Sequence, residues 1–148
     1  MLSKQEVLTS AIDLVSEKLN GIQKEFDALR EALLSETKST AGDKHETGRA
    51  MAQLEQEKLS AQLAETRKSL DRLKQINAES KMDQIGFGSL VKTSRGYFLV
   101  SVGIGAIPVG DNSVFCITAG SPIGQKLLGK SSGDSIELNG EIEIVSVI

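Results

Sequence analysis

Asp43 and Glu46 stand three residues apart within Gly42-Asp43-Lys44-His45-Glu46. Near the start of a helix, that spacing directs two carboxylates toward one side. Carboxylate oxygens suit Mg²⁺, but two of them leave much of its octahedral shell to water, phosphate or other ligands. The pair therefore suits half of a metal site that another macromolecule completes. There, a second Mg²⁺ would orient water for in-line attack on a phosphodiester. A plain structural role fits the same atoms: Asp43 as N-cap and Glu46 as its capping partner, both favoured by the positive end of the helix. The sequence leaves both roles open. His45, between the acids, fits a solvated turn histidine, and Lys38, Lys44 and Arg49 spread positive charge nearby without concentrating it.

Ser121-Pro122-Ile123-Gly124-Gln125-Lys126-Leu127-Leu128-Gly129-Lys130 forms a second cluster of interest. Ser121 can cap a short helix, Pro122 fits its first position and Gly129 its exit. Ile123, Leu127 and Leu128 are expected to pack on a sheet, leaving Gln125, Lys126 and Lys130 outward for contact with a partner. Cys116 is the only cysteine. That excludes an internal disulfide and a cysteine-based zinc cluster, and within Val114-Phe115-Cys116-Ile117 it reads as a buried strand thiol.

The acidic pair must be positioned by what flanks it. Leu8, Ile12, Val15, Leu19, Ile22, Phe26, Leu29 and Leu33 recur at alternating spacings of four and three, the seam of a helix packed lengthwise on a partner. The spacing predicts a helix from about Lys4 to Lys38, roughly 50 Å long at about 1.5 Å per residue. A second run, Ala52, Gln56, Leu59, Leu63, Thr66, Leu70 and Leu73, repeats the spacing through a stretch from Gly48 to Ala78 rich in helix formers. Its seam is weaker, because Gln56 and Thr66 occupy core positions. A short link at 39–48 favours folding back into an antiparallel coiled-coil hairpin. Later in the second helix Arg67, Lys68, Arg72 and Lys74 are locally basic, but Glu65 and Asp71 interrupt any nucleic-acid patch.

After about residue 80 the period changes. Strands are expected at Ser89–Thr93 and Tyr97–Val102 around a Ser94-Arg95-Gly96 turn, and again at Ser113–Thr118, Ser135–Leu138 and Glu141–Val147. Asn139-Gly140 is a two-residue hairpin signal, since both residues tolerate positive φ. The predicted class is α+β: residues 1–80 as an antiparallel helical hairpin with its acidic tip at 39–48, then 81–148 as a small antiparallel β domain with one short helix. A domain of that size is marginal alone and is expected to dock on the base of the hairpin.

Of the 148 residues, 39% are hydrophobic and only 3% aromatic, so the core must be aliphatic; the net charge is −3. No concentrated positive footprint supports autonomous, sequence-specific DNA binding or attachment to an anionic membrane. Neither a leader-like apolar run at the start nor a membrane-spanning stretch is evident, which leads to the expectation of a cytoplasmic monomer. Two isolated acids do not furnish a complete active site, so a stand-alone metal-dependent nuclease is not expected.

Two segments carry a family resemblance. Gly42-Asp43-Lys44-His45-Glu46 between long helices resembles the acidic hairpin tip of the bacterial Gre transcription elongation factors. Ser121 to Lys130, followed by Gly133-Asp134, resembles the signature of that family's C-terminal domain. The resemblance implies an FKBP-like fold for residues 81–148, docking on bacterial RNA polymerase through Ser121, Pro122, Gly124, Gln125, Lys126 and Lys130. It implies entry of the coiled coil into the polymerase secondary channel. It also implies that Asp43 and Glu46 act as the acidic pair that helps hold a Mg²⁺ shared with the polymerase active site. The chain would then be no enzyme itself, but would stimulate the polymerase to cleave the 3′ end of backtracked nascent RNA. The tip departs from the commoner family pattern: Lys44-His45 replaces Leu-Ser, Thr47 replaces Asn, and Gly48-Arg49-Ala50 supply no aromatic shortly after the acids. A secondary-channel regulator that docks without cleaving, and a coiled-coil structural adaptor, are the alternative readings.

Overall fold

The computed structural model describes residues 2–36 and 43–148, with side chains described at 2–35 and 47–148. Two helices open the chain: α1, Lys4–Glu36, and α2, Asp43–Lys74. Six strands follow: β1 Leu90–Thr93, β2 Gly96–Val100, β3 Gly105–Val109, β4 Asn112–Ile117, β5 Ser135–Glu137 and β6 Glu141–Val147. A short helix, α3 Pro122–Leu127, lies between β4 and β5. The class is α+β, as the patterning implies. The chain divides into two compact units, Leu14–Leu70 and Met1–Asp13 with Asp71–Ile148.

In the helical unit, Ile22 of α1 and Leu59 and Leu63 of α2 form a buried cluster, flanked by half-buried Leu19, Phe26 and Leu29. All six are seam positions of the two heptad runs. Across the seam, Arg67 donates to the Gln23 side-chain oxygen at 3.0 Å. The two polar seam residues of α2 are accommodated differently. Thr66 is buried, and its hydroxyl donates to the Gln62 carbonyl one turn back at 2.7 Å, which satisfies the group within its own helix. Gln56 is only half-buried and keeps access to water. The seam dries from residue 56 toward 63 because Leu replaces Gln and Ala.

In the other unit the six strands form one sheet in the order β3-β4-β2-β1-β6-β5. The sequence predicts an antiparallel sheet, and here it needs correction: β2 and β4 run parallel, with Phe98 opposite Phe115 and Leu99 opposite Cys116. The physical reason is β3, which the sequence reading lacks. Gly105, Ala106 and Pro108 dilute its strand signal, and Pro108 confines it to an edge. This strand pairs antiparallel with β4, Ile107 opposite Val114. The chain leaving β2 therefore passes to the outer position first and returns through β4 alongside β2 in the same direction. The alternation of buried Ile107 and Val109 around exposed Pro108, followed by Gly110-Asp111, was the available clue. Asn139 (φ 52) and Gly140 (φ 112) turn β5 into β6 with the positive φ values their types permit.

One face of the sheet carries a buried cluster of Val91, Phe98, Val100, Ile136, Ile142 and Ile144, closed by Ile85 and by Leu127 of α3. Lys4, in the first turn of α1, is buried in this unit and donates from Nζ to the Ser80 carbonyl at 3.1 Å. Nearby in sequence, the Arg72 guanidinium stacks 5.0 Å from the Phe87 ring centroid. These contacts hold the stretch after α2 in place. No helix among the described residues is long and apolar enough to cross a membrane.

Candidate functional site

Asp43 and Glu46 lie in the first turn of α2, the local position their spacing calls for; their side chains, with those of Lys44 and His45, lie outside the described residues, as does Lys38. Of the charged residues expected around the tip, Arg49 is exposed. Thr47 through Met51 are all exposed, and Ala52 is half-buried, so among the described side chains the second turn of α2 presents its surface to solvent. Among the described residues no group of three or more His, Cys, Asp or Glu could hold a metal ion.

The Ser121–Lys130 segment is described in full. Ser121 is the N-cap of α3 (φ −66, ψ 159), and its Oγ accepts from the Gly124 amide at 3.1 Å. The same hydroxyl donates to the Thr118 carbonyl at 2.7 Å, tying the helix start to the end of β4. Pro122 occupies the first turn, where the missing N–H costs nothing. Gly124 is buried where a Cβ would strike the Thr118 and Ala119 carbonyls. Gly129 leaves the helix at φ +79, and its amide donates to the Ile85 carbonyl while the Ile85 amide donates to that of Lys130, both at 2.8 Å. Asp134 closes the turn that follows, accepting from the Ser131 amide at 2.8 Å, and Gly133 provides φ +92.

Most of the motif therefore builds structure. Of the six residues expected to face a partner, Gln125, Lys126 and Lys130 line one open groove of about 480 Å³ with Leu128, Ser135, Ile136 and Glu137. Ser121, Pro122 and Gly124 are not among its lining residues. Gln125 is itself tied down, Nε2 donating to the Gly120 carbonyl at 3.0 Å. Leu128 departs from expectation. Ile123 and Leu127 pack toward the sheet, but Leu128 is the C-cap and is 41% exposed. Its backbone has left the helix (φ −51, ψ 130), which swings the side chain off the apolar face. An exposed leucine between two lysines is the groove feature that periodicity counting missed, because Leu-Leu before a helix-ending glycine reads as core.

Cys116 is buried, as expected. Burial pushes its thiol up to about 12.

Neither a family model nor a curated protein sequence matches the chain. Among solved structures it is similar to the transcription factor Gfh1, at 21% identity over 93% of each chain with a TM-score of 0.41. It is also similar to Thermus aquaticus Gfh1, at 19% identity over 94% of each chain with a TM-score of 0.37.

Proposed function

We propose that the protein is a Gre-like elongation factor that binds bacterial RNA polymerase and stimulates Mg²⁺-dependent cleavage of backtracked nascent RNA. The observation that carries the reading is the placement of Asp43 and Glu46 in the first turn of α2, beyond a seam closed by Ile22, Leu59 and Leu63. A helical hairpin whose second helix starts on two acids can present carboxylates to a centre in another protein. The sequence signature at Ser121–Lys130 supports the same family reading, and its geometry divides into a structural half and an exposed half.

In this reading Asp43 and Glu46 supply part of an oxygen shell and the polymerase supplies the rest. A Mg²⁺ ion held between them would provide charge stabilisation for phosphodiester hydrolysis. Gln125, Lys126 and Lys130 contribute docking contacts. The isolated chain has no nuclease activity of its own.

The test is an elongation complex of cognate polymerase, backtracked and carrying end-labelled RNA, incubated with the protein and Mg²⁺. Wild type shortens the RNA; Asp43→Asn and Glu46→Gln bind the complex equally and lose the stimulation. Equal stimulation by the double variant removes the metal role from these residues. Binding without any shortening by the wild type replaces this reading with a non-cleaving regulator of the same channel, for which the Lys44-His45 and Thr47 departures at the tip are the motivating observation.

A further inference from the structure

We infer that Asn139 is a latent deamidation site, held unreactive in the folded protein by a clamp that Arg95 and Glu137 place on one peptide group. Exposed Asn139 and half-buried Gly140 lie in the turn between β5 and β6. An asparagine before glycine is chemically labile, because no side chain shields the glycine nitrogen from the neighbouring carboxamide. That nitrogen can lose its proton to water and attack Asn139 Cγ. The new N–Cγ bond closes a succinimide ring and the Cγ–Nδ2 bond breaks. The departing nitrogen takes a proton from water and leaves as ammonia. A second water then opens the ring at either carbonyl, to aspartate or to isoaspartate. Both products add a carboxylate to a turn already flanked by Glu137 and its cross-strand partner Glu141, and isoaspartate also lengthens the main chain there.

The fold holds the reacting atoms apart. Asn139 has φ 52, which places it in the left-handed region, where ψ is about +30 to +60°. At such a ψ the Gly140 nitrogen stands nearly anti to Asn139 Cβ. Ring closure therefore requires the intervening peptide group to turn through roughly 150° or more. Both ends of that group are tied. Its carbonyl, Asn139 O, accepts from Arg95 Nη2 at 2.8 Å, while Arg95 Nη1 donates to the Leu138 carbonyl at 2.8 Å. Its N–H, on Gly140, donates to Glu137 Oε1 at 3.1 Å. The guanidinium lies so close that a Cβ on Gly140 would meet Nη2 at 2.5 Å. Arg95 comes from the turn between β1 and β2, and its own amide donates to Thr93 Oγ1 at 3.1 Å. The latch is thus anchored outside the hairpin that it closes. Rotation of the peptide group must break its contacts with both side chains, each of them charge-assisted.

The inference is independent of the function proposed above, and its test needs only the full chain. The protein is incubated in neutral buffer with and without urea, and peptide mapping by mass spectrometry follows Asn139. Asn20-Gly21, the other such pair in the chain, lies within α1 and is followed alongside. Without urea, wild-type Asn139 should react at least about tenfold more slowly than with it. Arg95 and Glu137 are exposed, so Arg95→Met and Glu137→Ala leave the fold standing. Loss of the charge-assisted bonds should speed native deamidation at Asn139 about tenfold in Arg95→Met and about threefold in Glu137→Ala. Neither should change the rate at Asn20. Gly124→Ala, which loosens the same unit away from the turn, should leave the Asn139 rate near that of wild type. The inference is overturned if native wild type reacts as fast as the chain in urea, or if neither clamp variant speeds the reaction. It is equally overturned if Gly124→Ala speeds it as much as they do, which would make global unfolding the gate. Slower reaction in Glu137→Ala would make that carboxylate the base for the attack rather than a latch, and would overturn it too.

Discussion

Gly124 of α3 lies directly beneath the carbonyl of Thr118, so that a Cβ added to it would overlap that oxygen and stand 2.9 Å from both the Ala119 carbonyl and Ser121 Oγ. The close approach lets one serine hydroxyl bond both Thr118 and Gly124. Gly124→Ala must displace main-chain oxygens rather than a flexible side chain, and should cost about 2–3 kcal/mol. Gly120→Ala, four residues earlier and with open space at its Cβ, should cost under about 0.5 kcal/mol. Urea titrations of the two variants make the comparison; equal losses would show that the tight approach relaxes freely.

Lys4 gives the protein a pH signature. Its ammonium is buried against the Ser80 carbonyl, and desolvation pushes its pKa below the ordinary 10.5. Between that lowered value and 10.5 the unfolded chain binds more protons than the folded one, so stability rises with pH through this window. Below the window the cost of burying the charge is present in full, and above 10.5 it is gone. Lys4→Met lacks the titrating group. The urea midpoint of wild type, measured relative to Lys4→Met, should therefore climb as pH rises toward 10.5. A difference that stays flat or falls would mean that Lys4 keeps its water in the folded state.

How much of this was legible in the chain depends on what each residue needs from its neighbours. The helices were legible, because the heptad positions from Leu8 to Leu33 and from Leu59 to Leu73 depend on period alone, and their buried members appear where counting puts them. The cap of α3 was legible for the same local reason: Ser121, Pro122 and Gly129 each have a strong preference at one helix position. The parallel pairing of β2 with β4 was not. Direction within a sheet depends on which strand the chain visits next, and β3, with Gly105, Ala106 and Pro108, carries too weak a pattern to be counted. The outward turn of Leu128 was hidden too, since it follows from where α3 stops rather than from hydrophobicity. The acidic pair stands in the first turn of α2, and its side chains lie outside the described residues.

Two glycines inside the long helices serve no steric purpose. Gly21 of α1 and Gly48 of α2 are exposed, and nothing lies within 4 Å of a Cβ added at either. Glycine in a helix interior costs about 1 kcal/mol relative to alanine through backbone entropy. Gly21→Ala should therefore raise the stability of the helical unit by about 1 kcal/mol, and Gly48→Ala, nearer a helix end, by about half of that. Circular dichroism at 222 nm through a urea titration reads both. A loss in either variant would reveal a need for backbone freedom there. If Gly48→Ala also lowers cleavage stimulation in the elongation-complex assay, that freedom belongs to the opening turns of α2 and to the carboxylates they carry.

Cys116 tests the packing between β2 and β4. Its side chain is almost fully buried, in register with Leu99 across the parallel pair, and burial holds the thiol at about 12. Because the raised value lies far above neutral pH, the thiolate that reacts with electrophiles is essentially absent in the folded protein. Alkylation by iodoacetamide at pH 8 should leave the native mass unchanged over hours and go to completion in guanidinium. Any slow native labelling should follow the rate at which the sheet opens and should slow further in variants that stabilise this unit. Rapid labelling of the native protein would mean that the β2–β4 seam separates locally, contradicting the closed parallel register that places Leu99 and Cys116 side by side.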